Sequence, residues 1–197
     1  MNGEQLIALT VFALAGSFTP GPNNTIATAT GANHGLRATL PHIFGVPFGF
    51  STMLAAGTLG AAALIAAHPA LATAIRWIGI AYLLLIAWSI ARTATIGDRA
   101  LARPLTFWQS AAFQYANPKA WMLAAATAGT YMAADDAFVR VVLICTVFSA
   151  ACAASLVVWA AAGAALKDWL KCGARLRAFN AVMGALLAVT AVWMALE

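Results

Sequence analysis

Lys119 stands in a part of the chain where a charge is costly. It is the only charged residue between Arg103 and Asp135. If this stretch enters a membrane at Phe107-Trp108, the Lys119 ammonium lies about 16 Å deep, close to the midplane. An ammonium at that depth requires a polar cavity or a partner group, which makes binding of an anion the favoured chemistry. The alternative is a lysine that extends to the interface and has no chemical role.

Proline and glycine interrupt two apolar segments of the chain. The first interruption is Thr19-Pro20-Gly21-Pro22-Asn23-Asn24, and the second is Asn117-Pro118-Lys119. Such residues leave carbonyl groups without donors at a depth where lipid offers none, so the broken backbone must face protein or a polar cavity. Matching breaks in two halves of a chain are typical of the substrate site of a transporter. The alternative for the first break is a proline kink that only serves packing.

The two breaks predict a site with partial charges of both signs. Asn117 has the character of an N-cap with Pro118 at the first helical position, and Gly21-Pro22 begins a half-helix in the same way. The helix N-termini and the Lys119 ammonium favour a carboxylate, whereas the freed carbonyls near Pro20 favour an ammonium. A zwitterion, namely a free amino acid, fits such a site.

The candidate substrate-binding residues lie in the two breaks and in the turn before the second break. They are Thr19, Pro20, Gly21, Pro22, Asn23, Asn24, Gln114, Tyr115, Asn117, Pro118 and Lys119. Gln114 and Tyr115 bind substrate in one interpretation and satisfy the broken backbone in the other. Lys119 and His42 are the candidate proton-coupling residues, and His42 is alternatively an interfacial histidine. The sequence predicts no catalytic residue, no metal site and no cofactor.

The composition predicts an all-α membrane protein. The chain has 197 residues, 63% of them apolar and 9% charged, and a mean hydropathy of +0.85. A soluble domain of this size cannot bury that much apolar surface. Six segments are long enough to span a membrane, near 5–28, 40–66, 69–91, 107–133, 138–164 and 177–196.

The six segments predict one transmembrane domain over 1–197, built from two three-helix repeats, 1–96 and 97–197. The first and fourth segments carry the breaks, which places each break in the first helix of its repeat. Because three spans leave the chain on the opposite side of the membrane, the second repeat must be inverted relative to the first. The glycine pairs Gly31/Gly35 and Gly45/Gly49 further predict close contacts between helices.

The basic residues predict the orientation of these segments. Eight of the eleven Lys and Arg residues fall on one side, namely Arg37, Arg92, Arg99, Arg103, Lys167, Lys171, Arg175 and Arg177. Arg76 and Arg140 fall on the other side. By the positive-inside rule the richer side is cytoplasmic, so both termini lie outside. The net charge of +5 therefore reflects membrane topology and not nucleic-acid binding.

Several motifs resemble the lysine exporter/threonine exporter family. They are the two breaks and the turn Gly31…His34-Gly35-Leu36-Arg37, and the stretch Phe107-Trp108-Gln109-Ser110 is most similar to the cysteine/O-acetylserine exporter branch. Members are small six-helix proteins of the bacterial inner membrane that export amino acids. The resemblance covers essentially the full length and implies secondary transport coupled to the proton gradient, without ATP. In an inner membrane, the outer side that the basic residues predict for both termini is the periplasm. It implies an amino acid, a proton and lipid as partners, and leaves a homodimer open.

No Asp or Glu falls inside a predicted membrane segment, which favours a small neutral amino acid over lysine or arginine. Cysteine, O-acetylserine, homoserine and threonine are the expected substrates. The main alternative is export of a divalent metal or another cation, although metals need clustered ligands that this sequence lacks. A membrane-embedded enzyme and a channel or scaffold are further alternatives, and Ser17 lacks the GxSxG-type turn of a nucleophile.

Overall fold

The protein was analysed as a computed structural model, which describes residues 1–57, 68–92, 103–131 and 137–196. Across these ranges the regular structure is entirely helical, as the composition predicts. The α-helices are α1 (Gly3–Phe18), α2 (Pro22–His34), α3 (Leu36–Ala56), α4 (Pro69–Ala91), α5 (Phe107–Ala116), α6 (Pro118–Tyr131), α7 (Ala137–Ala165) and α8 (Gly173–Leu196). A 3₁₀ turn, Trp169–Lys171, precedes α8.

In the described part of the chain, three helices are long and apolar enough to cross a membrane. They lie in α4, α7 and α8, over Thr73–Ala91, Phe138–Ala165 and Gly173–Leu196. The other three predicted segments do not meet both criteria in the described ranges, although α3 is a single helix of 21 residues. Two of them are divided by the breaks, and the segment predicted at 40–66 continues into residues 58–67, outside the described part of the chain.

Both predicted breaks are present. Helix α1 ends at Phe18 and α2 begins at Pro22, while α5 ends at Ala116 and α6 begins at Pro118. In each case a proline is the first residue of the second half-helix, where its missing N–H costs no helical hydrogen bond and its fixed φ suits the helix. The predicted breaks and the structure agree because a proline is more favourable in the first turn of a helix than in its interior.

The turn between α2 and α3 is shorter than the sequence suggests. The predicted segments 5–28 and 40–66 leave residues 29–39 for a turn, but α2 continues through His34 and α3 begins at Leu36, so Gly35 alone makes the turn. Gly35 has φ +88°, a left-handed conformation that favours glycine. Asn33 is buried instead. Its Nδ2 donates to Asn180 Oδ1 at 2.8 Å, and Asn180 Nδ2 donates back to Asn33 Oδ1 at 3.1 Å.

Glycine allows backbone contact between the helices that surround the breaks. A Cβ added to Gly31 of α2 would overlap the carbonyl oxygen of Ala160 in α7, and one added to Gly163 of α7 would overlap that of Thr28 in α2. The pair Gly45/Gly49 of α3 faces carbonyl oxygens of α5 in the same way. The predicted close contacts are therefore confirmed at these positions, whereas Gly35 has nothing within 4 Å of an added Cβ.

Candidate functional site

The two breaks lie side by side, and Lys119 connects them. Its Nζ donates to the carbonyl oxygen of Thr19 at 2.6 Å and lies 3.5 Å from that of Pro20. These carbonyls follow Phe18, the last residue of α1. The lysine therefore reaches from the start of α6 to the carbonyl end of α1, where the helix dipole is negative.

Helix capping fixes the position from which Lys119 starts. Asn117 has extended backbone angles, and its Oδ1 accepts a hydrogen bond from the Lys119 backbone N–H at 3.1 Å. This confirms the predicted N-cap, with Pro118 as the first helical residue. Gly21 is the N-cap of α2, and a Cβ at Gly21 would lie 3.1 Å from Lys119 Cδ. The absence of a side chain at Gly21 leaves room for the aliphatic part of the lysine.

Side chains satisfy the carbonyls that the first break sets free. Asn24 Nδ2 donates to the carbonyl oxygens of both Ser17 and Thr19 at 2.9 Å. Ser155 of α7 also donates its hydroxyl to the Ser17 oxygen at 2.8 Å. Irregular backbone among apolar helices requires hydrogen-bond partners of this kind, so Asn24 stabilises the first break.

A second hydrogen-bonded group links α2 to α5. Asn23 Nδ2 donates to Gln114 Oε1 at 2.9 Å, and Gln114 Nε2 donates to Asn23 Oδ1 at 3.3 Å. Gln114 Nε2 also donates to the Ser110 carbonyl oxygen at 2.9 Å. The second half-helix of the first break is therefore tied to the first half-helix of the second break by a reciprocal amide pair.

His42 of α3 contacts the residues next to the Asn23–Gln114 amide pair, and only 1% of its surface is exposed. Its Nε2 lies 3.1 Å from the carbonyl oxygen of Asn23, and its Nδ1 lies 2.9 Å from Ser110 Oγ. Because a carbonyl oxygen only accepts hydrogen bonds, Nε2 must carry the hydrogen. In a neutral ring, Nδ1 then accepts from the Ser110 hydroxyl. If the ring takes up a proton, Nδ1 donates to the same oxygen, so the contact survives both charge states.

A cavity lies between the two breaks. Its volume is about 480 Å³ when the open mouth is included. Seven of the predicted site residues line it: Gly21, Pro22, Asn23, Asn24, Gln114, Asn117 and Lys119. The rest of the wall is Gly16, Ser17, Val46, Phe50, Ala120, Leu123, Phe148 and Cys152. The lining thus combines a few polar groups with a mostly apolar wall, which is typical of small-molecule sites.

The remaining candidates lie near the cavity without lining it. Thr19 and Pro20 contribute the carbonyl oxygens that Lys119 contacts. Tyr115 points elsewhere, since its hydroxyl donates to Thr52 Oγ1 at 3.1 Å. Pro118 is the first residue of α6, and His42 contacts the backbone of Asn23.

Two serines that contact the site are not among the predicted site residues. Ser110 contacts His42, and Ser155 contacts the first break. One signal was available for Ser110, because it lies four residues before Gln114 and therefore on the same helix face. No comparable signal marks Ser155. Within the described ranges, no group of three His, Cys, Asp or Glu residues is arranged to hold a metal ion.

Known proteins resemble the chain over much of its length. The family described as LysE type translocator matches residues 14–197. The cysteine/O-acetylserine efflux proteins of Escherichia coli strain K12 and Shigella sonnei strain Ss046 are each 36% identical to the chain over 121 residues, which is 60% of this chain and 61% of each relative. The match thus spans about three fifths of the length of these curated relatives. No solved structure matches the chain.

The family match includes both breaks, the cavity between them and every helix from the end of α1 to α8. It agrees with the resemblance found in the motifs, and the family is described as one of translocators. The chain belongs to the family of LysE type translocators.

Proposed function

We propose that this chain exports small neutral amino acids or their close derivatives across the bacterial inner membrane, driven by the proton gradient. The observation that carries the proposal is the position of the Lys119 ammonium between the α6 N-terminus and the carbonyl end of α1, on the wall of one cavity. The relatives named as cysteine/O-acetylserine efflux proteins support cysteine and O-acetylserine as the first substrates to test. Homoserine and threonine are the next.

The proposed membrane arrangement has six spans in two inverted repeats. Helices α1 and α2 together form the first span and α5 and α6 the fourth, while α3, α4, α7 and α8 each form one. The contacts between helices support an arrangement of two related halves. Helix α3 of the first half packs against α5 of the second, and α7 of the second half packs against α1 and α2 of the first. In addition, α3 contacts α7 and α4 contacts α8, so corresponding helices of the two halves meet.

The substrate's three parts have separate places in the proposed site. The carboxylate binds at the α6 N-terminus beside Lys119, and the ammonium binds at the carbonyl end of α1. The side chain lies against the apolar wall, where the rings of Phe50 and Phe148 have centroids 5.0 Å apart. Among the described residues no Asp or Glu lines this cavity, so the described wall offers no partner for a second positive charge. A neutral side chain therefore fits better than that of lysine or arginine.

Export profiling tests the proposed function. Bacterial cells that over-express the chain are fed with dipeptides, and the amino acids released into the medium are measured. We expect excess release of cysteine, O-acetylserine, homoserine or threonine, and none of it in cells that express Lys119→Met. The matched control is Lys171→Met, because that exposed lysine pairs with Asp168 far from the cavity. Specific resistance to lysine or arginine analogues, with none to neutral ones, would reject the proposed substrate class.

A further inference from the structure

The carbonyl end of α1 is already occupied by a cation that belongs to the protein. We infer that the Lys119 ammonium occupies the binding site of the substrate's ammonium, and that it thereby excludes ligands that lack a carboxylate. The identity of the substrate rests on the proposed function, whereas the ammonium site itself rests on the contacts of Lys119.

The occupied carbonyl has no room for a second ammonium. A carbonyl oxygen has two lone pairs, and that of Thr19 accepts from Asn24 Nδ2 at 2.9 Å and from Lys119 Nζ at 2.6 Å. The next carbonyl, Pro20, lies 3.5 Å from the same ammonium. A substrate ammonium therefore reaches the end of α1 only when Lys119 leaves it.

A departing Lys119 needs a new partner. Within the described ranges, the contacts of its ammonium are to backbone carbonyls and none is to a carboxylate. An ammonium without a partner at this depth is strongly unfavourable. The carboxylate of the substrate provides that partner. It is favoured at the N-terminus of α6, and Lys119 is the second residue of that helix, so the two groups are close to each other.

The exchange selects for ligands that carry both charges. A zwitterion supplies an ammonium to the Thr19 carbonyl and a carboxylate to the displaced lysine. A simple amine supplies only the first and leaves Lys119 without a partner, while a simple carboxylate leaves the carbonyls empty. Lys119 is therefore a specificity-determining residue that rejects amines by occupying their site.

Ligand binding to the purified full-length chain tests this inference. The probes are homoserine as the zwitterion and ethanolamine as an amine without a carboxylate. The parental chain is expected to bind homoserine at least about tenfold more tightly than ethanolamine. Lys119→Met is expected to bind ethanolamine about tenfold more tightly than the parental chain does and to lose the preference for homoserine.

Two further variants separate this role from a merely structural one. Lys119→Arg keeps a cation for the carbonyls, so it is expected to exclude ethanolamine as the parental chain does. Lys171→Met removes an exposed lysine and is expected to leave both affinities unchanged. If Lys119→Met does not fold alone, ethanolamine is expected to restore its folded yield by filling the vacated carbonyls, and failure to do so would contradict the inference.

The outcomes distinguish this inference from the proposed function. Amino-acid export by the parental chain, with ethanolamine affinity unchanged in Lys119→Met, would overturn the inference and leave the proposed function standing. Ethanolamine binding by Lys119→Met, with no transport of any neutral amino acid by the parental chain, would overturn the proposed substrate class and leave the ammonium site.

Discussion

At the residue scale, His42 combines burial with two hydrogen bonds that tolerate a change of charge. We expect His42→Gln to abolish accumulation of substrate driven by a proton gradient while leaving substrate counterflow nearly intact. Glutamine offers a donor for the Asn23 carbonyl and an acceptor for the Ser110 hydroxyl, but it takes up no proton. Proteoliposomes loaded with substrate measure both activities in one preparation.

Ser110→Ala is the control for this prediction. It removes the partner of Nδ1 but keeps the imidazole, so gradient-driven accumulation is expected to persist, although at a lower rate. Accumulation by His42→Gln at the parental rate would show that the proton is carried elsewhere, and Lys119 would be the next candidate.

The sequence predicts single residues of this site better than it predicts their partners. The depth of Lys119 and the N-cap at Asn117 are local properties, which a pattern of charge and proline reveals. The partner of Lys119 is the carbonyl of Thr19, 100 positions earlier in the chain. Such a contact depends on how the two halves pack, and nothing near either residue encodes it.

At the element scale, the contact between α2 and α7 depends on glycine. We expect Gly163→Ala to destabilise the protein by about 1–3 kcal/mol and to reduce export, because the added Cβ meets the Thr28 backbone and not a flexible side chain. The melting temperature of the detergent-solubilised protein measures the loss. Gly129→Ala is the matched control, since nothing lies within 4 Å of its added Cβ. That variant should gain about 0.5–1 kcal/mol from the better helix former.

An unchanged melting temperature in Gly163→Ala would contradict the backbone contact. A loss of similar size in both variants would show instead that alanine is tolerated poorly at any glycine of this protein, whether or not helices meet there.

The starts of α4, α5 and α7 were predicted to within one residue, whereas the start of α3 was not. Helix α4 begins at Pro69 and ends at Ala91, as predicted. Helix α3 begins at Leu36, earlier than the predicted 40, and contains Pro41 and Pro47 in its interior. Helices among apolar neighbours tolerate such prolines because other groups satisfy the freed carbonyls, so proline alone does not reveal whether a helix starts or continues.

At the scale of the whole molecule, the distribution of basic residues gives a testable orientation. We expect a reporter fused after Glu197 to be active when it requires the periplasm and silent when it requires the cytoplasm. Lys167 and Lys171 lie between α7 and α8, and Arg175 lies in the first turn of α8, so this end of both helices should face the cytoplasm. A fusion truncated after Lys171 is the control and should report the cytoplasm. A cytoplasmic signal after Glu197 would reject the proposed six-span arrangement.

The buried amide pair of Asn33 and Asn180 has a consequence for how this protein evolves. The two residues are 147 positions apart, yet each is the hydrogen-bond partner of the other. Replacing one by an apolar residue removes two hydrogen bonds from the buried amide that remains, at about 1–3 kcal/mol, whereas replacing both with similar shapes is nearly neutral. Mutational drift should therefore cross this site in coupled steps, with descendants that keep both amides or neither. In an alignment of descendants, that covariation alone would reveal that α2 and α8 are neighbours.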